Sequence, residues 1–168
     1  GNNYSHEISV FFTNICSELS GDPNFDFNRG KRTAHIAPML VRPIALHQAY
    51  NIMPRLVGLF FATDLRVINV TRTSAKLQWS AKSALAPLPK VLHERYLHDV
   101  CQVYQGVFSE MPNVHSGLPP ATIRETKCQA RGDEYCEWEF VWQESEPRTL
   151  FSFWGKRAGR RGSWASSL

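Results

Sequence analysis

Residues 125–142, "ETKCQARGDEYCEWEFVW", decide the fold. Two arms flank a Gly132-Asp133 turn, and the second arm sets Trp138, Phe140 and Trp142 at alternate positions. Period two over an arm of this length is the pattern of a strand with one buried face. Cys128 and Cys136 are equidistant from Gly132, so a hairpin turning there places them directly opposite each other, on the core side with the aromatic residues.

Working outward, residues 65–81, "LRVINVTRTSAKLQWSA", share the two-residue period. A turn centred on Thr73 and Ser74 puts Val70 opposite Leu77 and Ile68 opposite Trp79. Between the hairpins, residues 91–108, "VLHERYLHDVCQVYQGVF", return to a helical period, with Leu97, Cys101, Tyr104 and Phe108 in one stripe. Near the start, "SHEISVFFTNICSEL" spaces Ile8, Phe11, Phe12, Ile15 and Leu19 as a helix, with Ser5 placed to cap it and Gly21 just past its end. Pro43 and Pro54 suit first-turn positions, giving two short helices or one kinked helix, with a strand as the alternative for "LVGLFF". "SGDPNFDFNRGKRT" and "SEMPNVHSGLPP" read as loops. The order predicts an α+β fold: an antiparallel sheet built from two hairpins, with helices covering one face.

A chain of 168 residues, 43% hydrophobic and 20% charged, is long enough for one substantial core. No apolar run approaches the roughly 18 residues that cross a bilayer, and no secretion-signal pattern opens the sequence, so a cytoplasmic location without a membrane span is expected. The net charge of +4 is unevenly placed. Residues 147–168 hold five of the 19 basic residues and no acid, leaving 14 basic against 15 acidic residues elsewhere. The expected division is a single domain over residues 1–146 and a basic flexible linker or tail over 147–168. A body without a cationic face does not suit nucleic-acid binding.

Catalytic patterns are thin. There is no G-x-S-x-G, no H-E-x-x-H and no Gly-rich phosphate cradle, since the glycine and lysine of "RGKRT" are misplaced for one. The chain is expected not to be an enzyme.

Three readings of the cysteines compete. Each is a small buried hydrophobe, or Cys128 and Cys136 form a disulfide across the hairpin, or a metal collects their sulfurs with that of Cys101. A helix dropped on the hairpin brings Cys101 to the other two, whereas Cys16 has no such relation.

Glu125-x2-Cys128-x7-Cys136, with Cys101 about two dozen residues upstream, resembles the metal site of the 4-vinyl-reductase-type small-molecule-binding domain, the sensor module of phenol- and aromatic-responsive bacterial activators. "GLPPATIRETKCQARGDEYCEWEFVW" also resembles the close of related modules ahead of bacterial kinases and cyclases. The resemblance is specific over residues 101–142, looser over 43–100 and absent from the tail. It implies Cys101, Glu125, Cys128 and Cys136 as ligands of a structural zinc, and a fold shared with TRAPP trafficking subunits. It further implies a homodimer and an output kinase, cyclase or transcription-activator module outside this chain.

Glu125 poses a geometric question. Three residues from Cys128, it falls on the opposite face of a regular strand, so ligation requires a bulge between them. Otherwise a water or a histidine such as His98 or His115 must close the site.

The expected function is sensing of a small apolar or aromatic molecule, with Trp79, Phe60, Phe61, His47 and His93 as candidate pocket residues. The competing reading is a zinc-stapled dimerisation scaffold without a small ligand. An enzyme, suggested only by the reductase in the family name, comes third.

Overall fold

The computed structural model describes residues 4–36, 43–60 and 64–144. The proposed tail and the boundary at residue 146 lie outside these, as does Phe61. The elements run α1 (Tyr4–Ser20), α2 (Phe25–Ala34), α3 (Leu46–Phe60), β1 (Asp64–Val70), β2 (Ser74–Ser80), the single turn α4 (Lys82–Leu85), α5 (His93–Ser116), β3 (Thr122–Lys127) and β4 (Cys136–Val141). The strands form one antiparallel sheet in the order β1-β2-β4-β3, so the two hairpins join through β2 and β4. This is an α+β fold.

The two central strands carry the core. In β2 the alternate residues Ala75, Leu77 and Trp79 are buried, and in β4 so are Cys136, Trp138 and Phe140. Leu77 pairs with Trp138 and Trp79 with Cys136, which stacks both inward rows on one face. Helix α5 covers that face: Tyr104 meets Trp79 edge to face at 5.4 Å, and Phe108 lies 5.8 Å from Phe140.

The first hairpin forms in a different register from the expected one. Leu65, not Ile68, lies opposite Trp79, and Val67, not Val70, opposite Leu77. Ile68 is the extra residue of a bulge between Val67 and Asn69, and its side chain is half exposed. The Thr71 hydroxyl accepts from the backbone N–H groups of Thr73 and Ser74, and the turn centres on Arg72 and Thr73, one residue earlier than expected.

Residues 25–34, expected as loop, are the helix α2. Its Asn, Asp and Gly content gives little intrinsic helix preference, and tertiary packing overrides it. Gly30 and Gly106 meet where α2 crosses α5: a Cβ on Gly30 would stand 2.2 Å from the Val103 carbonyl oxygen, and one on Gly106 only 2.1 Å from that of Phe27. Only glycines permit so close a crossing. Before it, Asp22 accepts bonds from the Asn24 N–H and the Asn28 amide, starting the helix.

Pro54 does not divide the chain into two helices; α3 runs through it. Nor does α5 stop at Phe108, as expected. It continues through Pro112 to Ser116, closed by Gly117 at φ 69°. Pro112 has no N–H for the carbonyl of Phe108, one turn back, and the Tyr50 hydroxyl donates to that oxygen instead, at 2.5 Å. The Ala121 N–H likewise takes the Ser109 carbonyl at 2.7 Å. The helix survives its proline because Tyr50 of α3 supplies the missing donor.

Helix α1 forms where its period indicated, but its apolar stripe is largely open: Phe11 and Phe12 are 63% and 64% exposed and Leu19 83%, while Val10 is buried.

Candidate metal centre

Three elements converge on one cluster. Cys101 projects from α5, Cys128 follows the end of β3, and Cys136 opens β4. Their sulfurs all lie within 4.8 Å of one another, and the residues are 2%, 5% and 0% exposed. The Cys101 and Cys128 sulfurs are 3.9 Å apart. Zinc–thiolate bonds of about 2.3 Å in a tetrahedron hold sulfurs about 3.8 Å apart. All three are free thiols, as is the exposed Cys16 on α1, so the hairpin carries no disulfide.

The hairpin does not close as a tight turn on Gly132. Pairing ends at Lys127 with Glu137, and Cys128 then enters a 3-10 turn, Gln129–Arg131, which Gly132 terminates at φ 94°. The Asp133 carboxylate accepts from the Cys128 N–H at 2.7 Å, and the Cys136 sulfur accepts from the Gln129 N–H at 3.2 Å. This wider loop sets both sulfurs toward α5.

Glu125 joins them by the bulge its parity required. The register shifts between Glu125 and Lys127, making Thr126 the extra residue. Glu125 therefore pairs with Trp138 on the core side, yet Cys128, three residues on, faces the same way. The Glu125 Oε1 accepts from the Cys101 thiol at 3.2 Å, the Gln105 amide at 3.1 Å and the Trp138 indole at 3.1 Å. Its Oε2 pairs with Arg131 at 2.6 Å. Gln105 lies one helical turn after Cys101 and was discoverable from that spacing; nothing in the sequence pointed to Arg131.

Burial alone would raise the Glu125 carboxyl, but bonds from Cys101, Arg131 and Trp138, with the Arg131 charge, outweigh it and hold the group below its ordinary range. The thiols go the other way. The Cys136 sulfur, burial and Glu125 push Cys101 far up, and burial followed by the Cys101 charge raises Cys128. A cation entering the cluster must therefore displace thiol protons. Thiolate sulfur and carboxylate oxygen are both donors that bind metal ions such as zinc, and Arg131 offsets part of the negative charge such a donor set carries.

Of the alternative fourth donors, His98 contacts Asp99 at 3.4 Å and lines a groove of about 620 Å³ that Cys101 and Cys128 also line. His115 is elsewhere, with its Nε2 2.7 Å from the Ile44 carbonyl oxygen.

Of the candidate pocket residues, the side chains of Trp79, His47 and His93 are among those described, each in different surroundings. Trp79 is 1% exposed in the core, packed on Tyr96 and Tyr104. His47 lines an open groove between α3 and β1, and His93 contacts the Leu88 carbonyl at 2.9 Å. Phe60 ends α3, with its side chain outside the described residues.

The sequence matches no known protein family and no curated protein. Solved structures do share the fold, among them a ligand-sensing domain and a trafficking subunit. One is the phenol-responsive sensory domain of the transcription activator PoxR, solved with phenol: TM-score 0.54, 12% identity, 84% of this chain and 76% of that one. Another is trafficking protein particle complex subunit 3 from Naegleria fowleri, covalently bound to palmitic acid: TM-score 0.51, 14% identity, 85% of this chain and 98% of that one. No helix among the described residues is long and apolar enough to cross a membrane.

Proposed function

We propose that this chain is a ligand-sensing regulatory domain for a small apolar or aromatic molecule, with its last hairpin stapled to α5 by one structural zinc. The observation that carries the reading is the meeting of Cys101, Cys128 and Cys136 with the bulge-turned Glu125. Four protein donors leave zinc no open position, so its work is mechanical: it joins β3, β4 and α5 into one body. No catalytic reaction is assigned. The ligand half of the reading is supported by two structures of this fold whose bound molecules, phenol and palmitate, differ in shape but are both largely apolar. Occupancy would be passed to an output module outside this chain.

One observation favours a second reading, a zinc-stapled interaction scaffold: the open stripe of Phe11, Phe12 and Leu19 on α1 is apolar surface of the kind that partners cover. Native mass spectrometry of the full chain, purified without added metal, separates the two. One zinc per chain with a small-molecule adduct supports the sensor. One zinc in a ligand-free dimer that no apolar compound alters supports the scaffold, and a metal-free chain removes the staple from both.

A further inference from the structure

Among the described residues, no strand pairs with the outer side of the sheet edge farthest from the cysteines. Among the described residues β1 has β2 as its single strand neighbour, which leaves backbone N–H and C=O groups along its outer side. A groove of about 590 Å³ runs there. Its floor is six consecutive residues, 65–70. Neighbouring residues of a strand face opposite ways, so a slot touched by all six follows the strand's edge and not one face of the sheet. Its wall is one side of α3, where His47, Asn51 and Arg55 recur at intervals of four. An open strand edge beside a helix wall is the geometry in which an extended peptide adds to a sheet.

The charge of the groove selects the peptide. Arg55 and Arg66 line it, both exposed and neither in an ion pair among the described residues. No carboxylate of the described residues lines it, and Asp64, at the start of the strand, accepts from the Ser83 hydroxyl at 3.1 Å. A second copy pairing edge to edge would bring arginines against arginines, which disfavours self-association here. The bulge supplies an apolar foothold, since it turns Ile68 half into solvent at the groove.

We propose that the groove between β1 and α3 docks an extended, acidic segment of a partner protein, which joins the sheet beside β1 and sets its carboxylates on Arg55 and Arg66. The partner's main chain supplies binding and its acidic residues supply selection. For a domain that reports to a separate module, this is a contact surface distinct from the metal centre.

The test uses the full chain and short fluorescent peptides alternating valine with glutamate or with lysine, followed by fluorescence polarisation and amide hydrogen exchange. The glutamate peptide should bind, more weakly as salt rises, and should slow exchange over residues 64–70. Arg55→Glu with Arg66→Glu should weaken it about tenfold or more, and N-methylation of alternate peptide amides should abolish binding. Four results would overturn the proposal: no binding, equal binding of the lysine peptide, indifference to N-methylation, or indifference to the arginine reversals. Protection, in the peptide-free chain, of the β1 amides that do not bond β2 would do so too. If it rises with protein concentration the edge belongs to a second copy, and if it does not, to another segment of this chain.

Discussion

Glu125 lies directly opposite Trp138 in the sheet and accepts its indole N–H at 3.1 Å, although strand parity counted from Cys128 assigns Glu125 to the solvent face. Thr126, the extra residue between them, reconciles the two positions and turns a carboxylate into the cysteine cluster. Glu125→Ala should therefore weaken zinc binding by about tenfold or more, as loss of a ligand or its supports does. Glu139→Ala, at a position paired with Arg124 on the other face, should leave it unchanged. Competition with a chromophoric chelator measures both.

The thiols should matter more. Cys128→Ser or Cys136→Ser should lower stability by several kcal/mol, because structural zinc sites couple about 10 kcal/mol or more of binding to folding. Removing the metal from the unaltered chain should lower its melting temperature similarly, as calorimetry with and without chelator will show. Melting that ignores complete chelation would mean the cluster is only a packed trio of thiols.

The α2–α5 crossing gives a sharp contrast between glycines. Gly106→Ala places a methyl group 2.1 Å from the Phe27 carbonyl oxygen, in backbone that cannot yield without parting the helices. A loss of about 3 kcal/mol or more is expected by chemical denaturation. Gly21→Ala meets no atom within 4 Å and bears only the strain of φ 62°, about 1 kcal/mol.

Tyr50→Phe should cost about 1–3 kcal/mol, since it strands the Phe108 carbonyl that Pro112 leaves without a helical donor. The ring remains able to stack on Trp142, now 4.3 Å away and parallel, so the loss isolates one hydrogen bond. Urea denaturation with an unchanged slope is the measurement.

Much of this was legible in the sequence where burial alternates strictly. Leu77 and Trp79, and Cys136, Trp138 and Phe140, announce two strands with a common inner face, and the period through Leu97, Cys101, Tyr104 and Phe108 announces the helix above them. What escaped depends on single residues acting at a distance. The bulge at Ile68 shifts the first hairpin's register without altering its composition. Helix α2 exists because Gly30 finds Gly106, a match between segments far apart in the chain, and α5 passes Pro112 because Tyr50 reaches its free carbonyl. The pairing of Gly132-centred arms was half right: both cysteines face the core and Cys136 pairs with Trp79, but the ladder between the arms ends at Lys127 with Glu137 and Cys128 leads into a 3-10 turn. A pocket is the hardest feature to read from sequence, because aromatic residues such as the buried Trp79 fill a core as readily as they line a cavity.

The sensing reading faces its most direct test in a thermal-shift screen of the zinc-loaded full chain against small aromatic and apolar compounds. A ligand that binds only the folded state adds about 2.7 kcal/mol at 100 times its dissociation constant, enough to raise the melting temperature by several degrees. The account predicts that at least one such compound produces this rise, saturably, with the zinc retained. A chain whose melting temperature no apolar or aromatic compound moves, though its zinc and fold are intact, would contradict it.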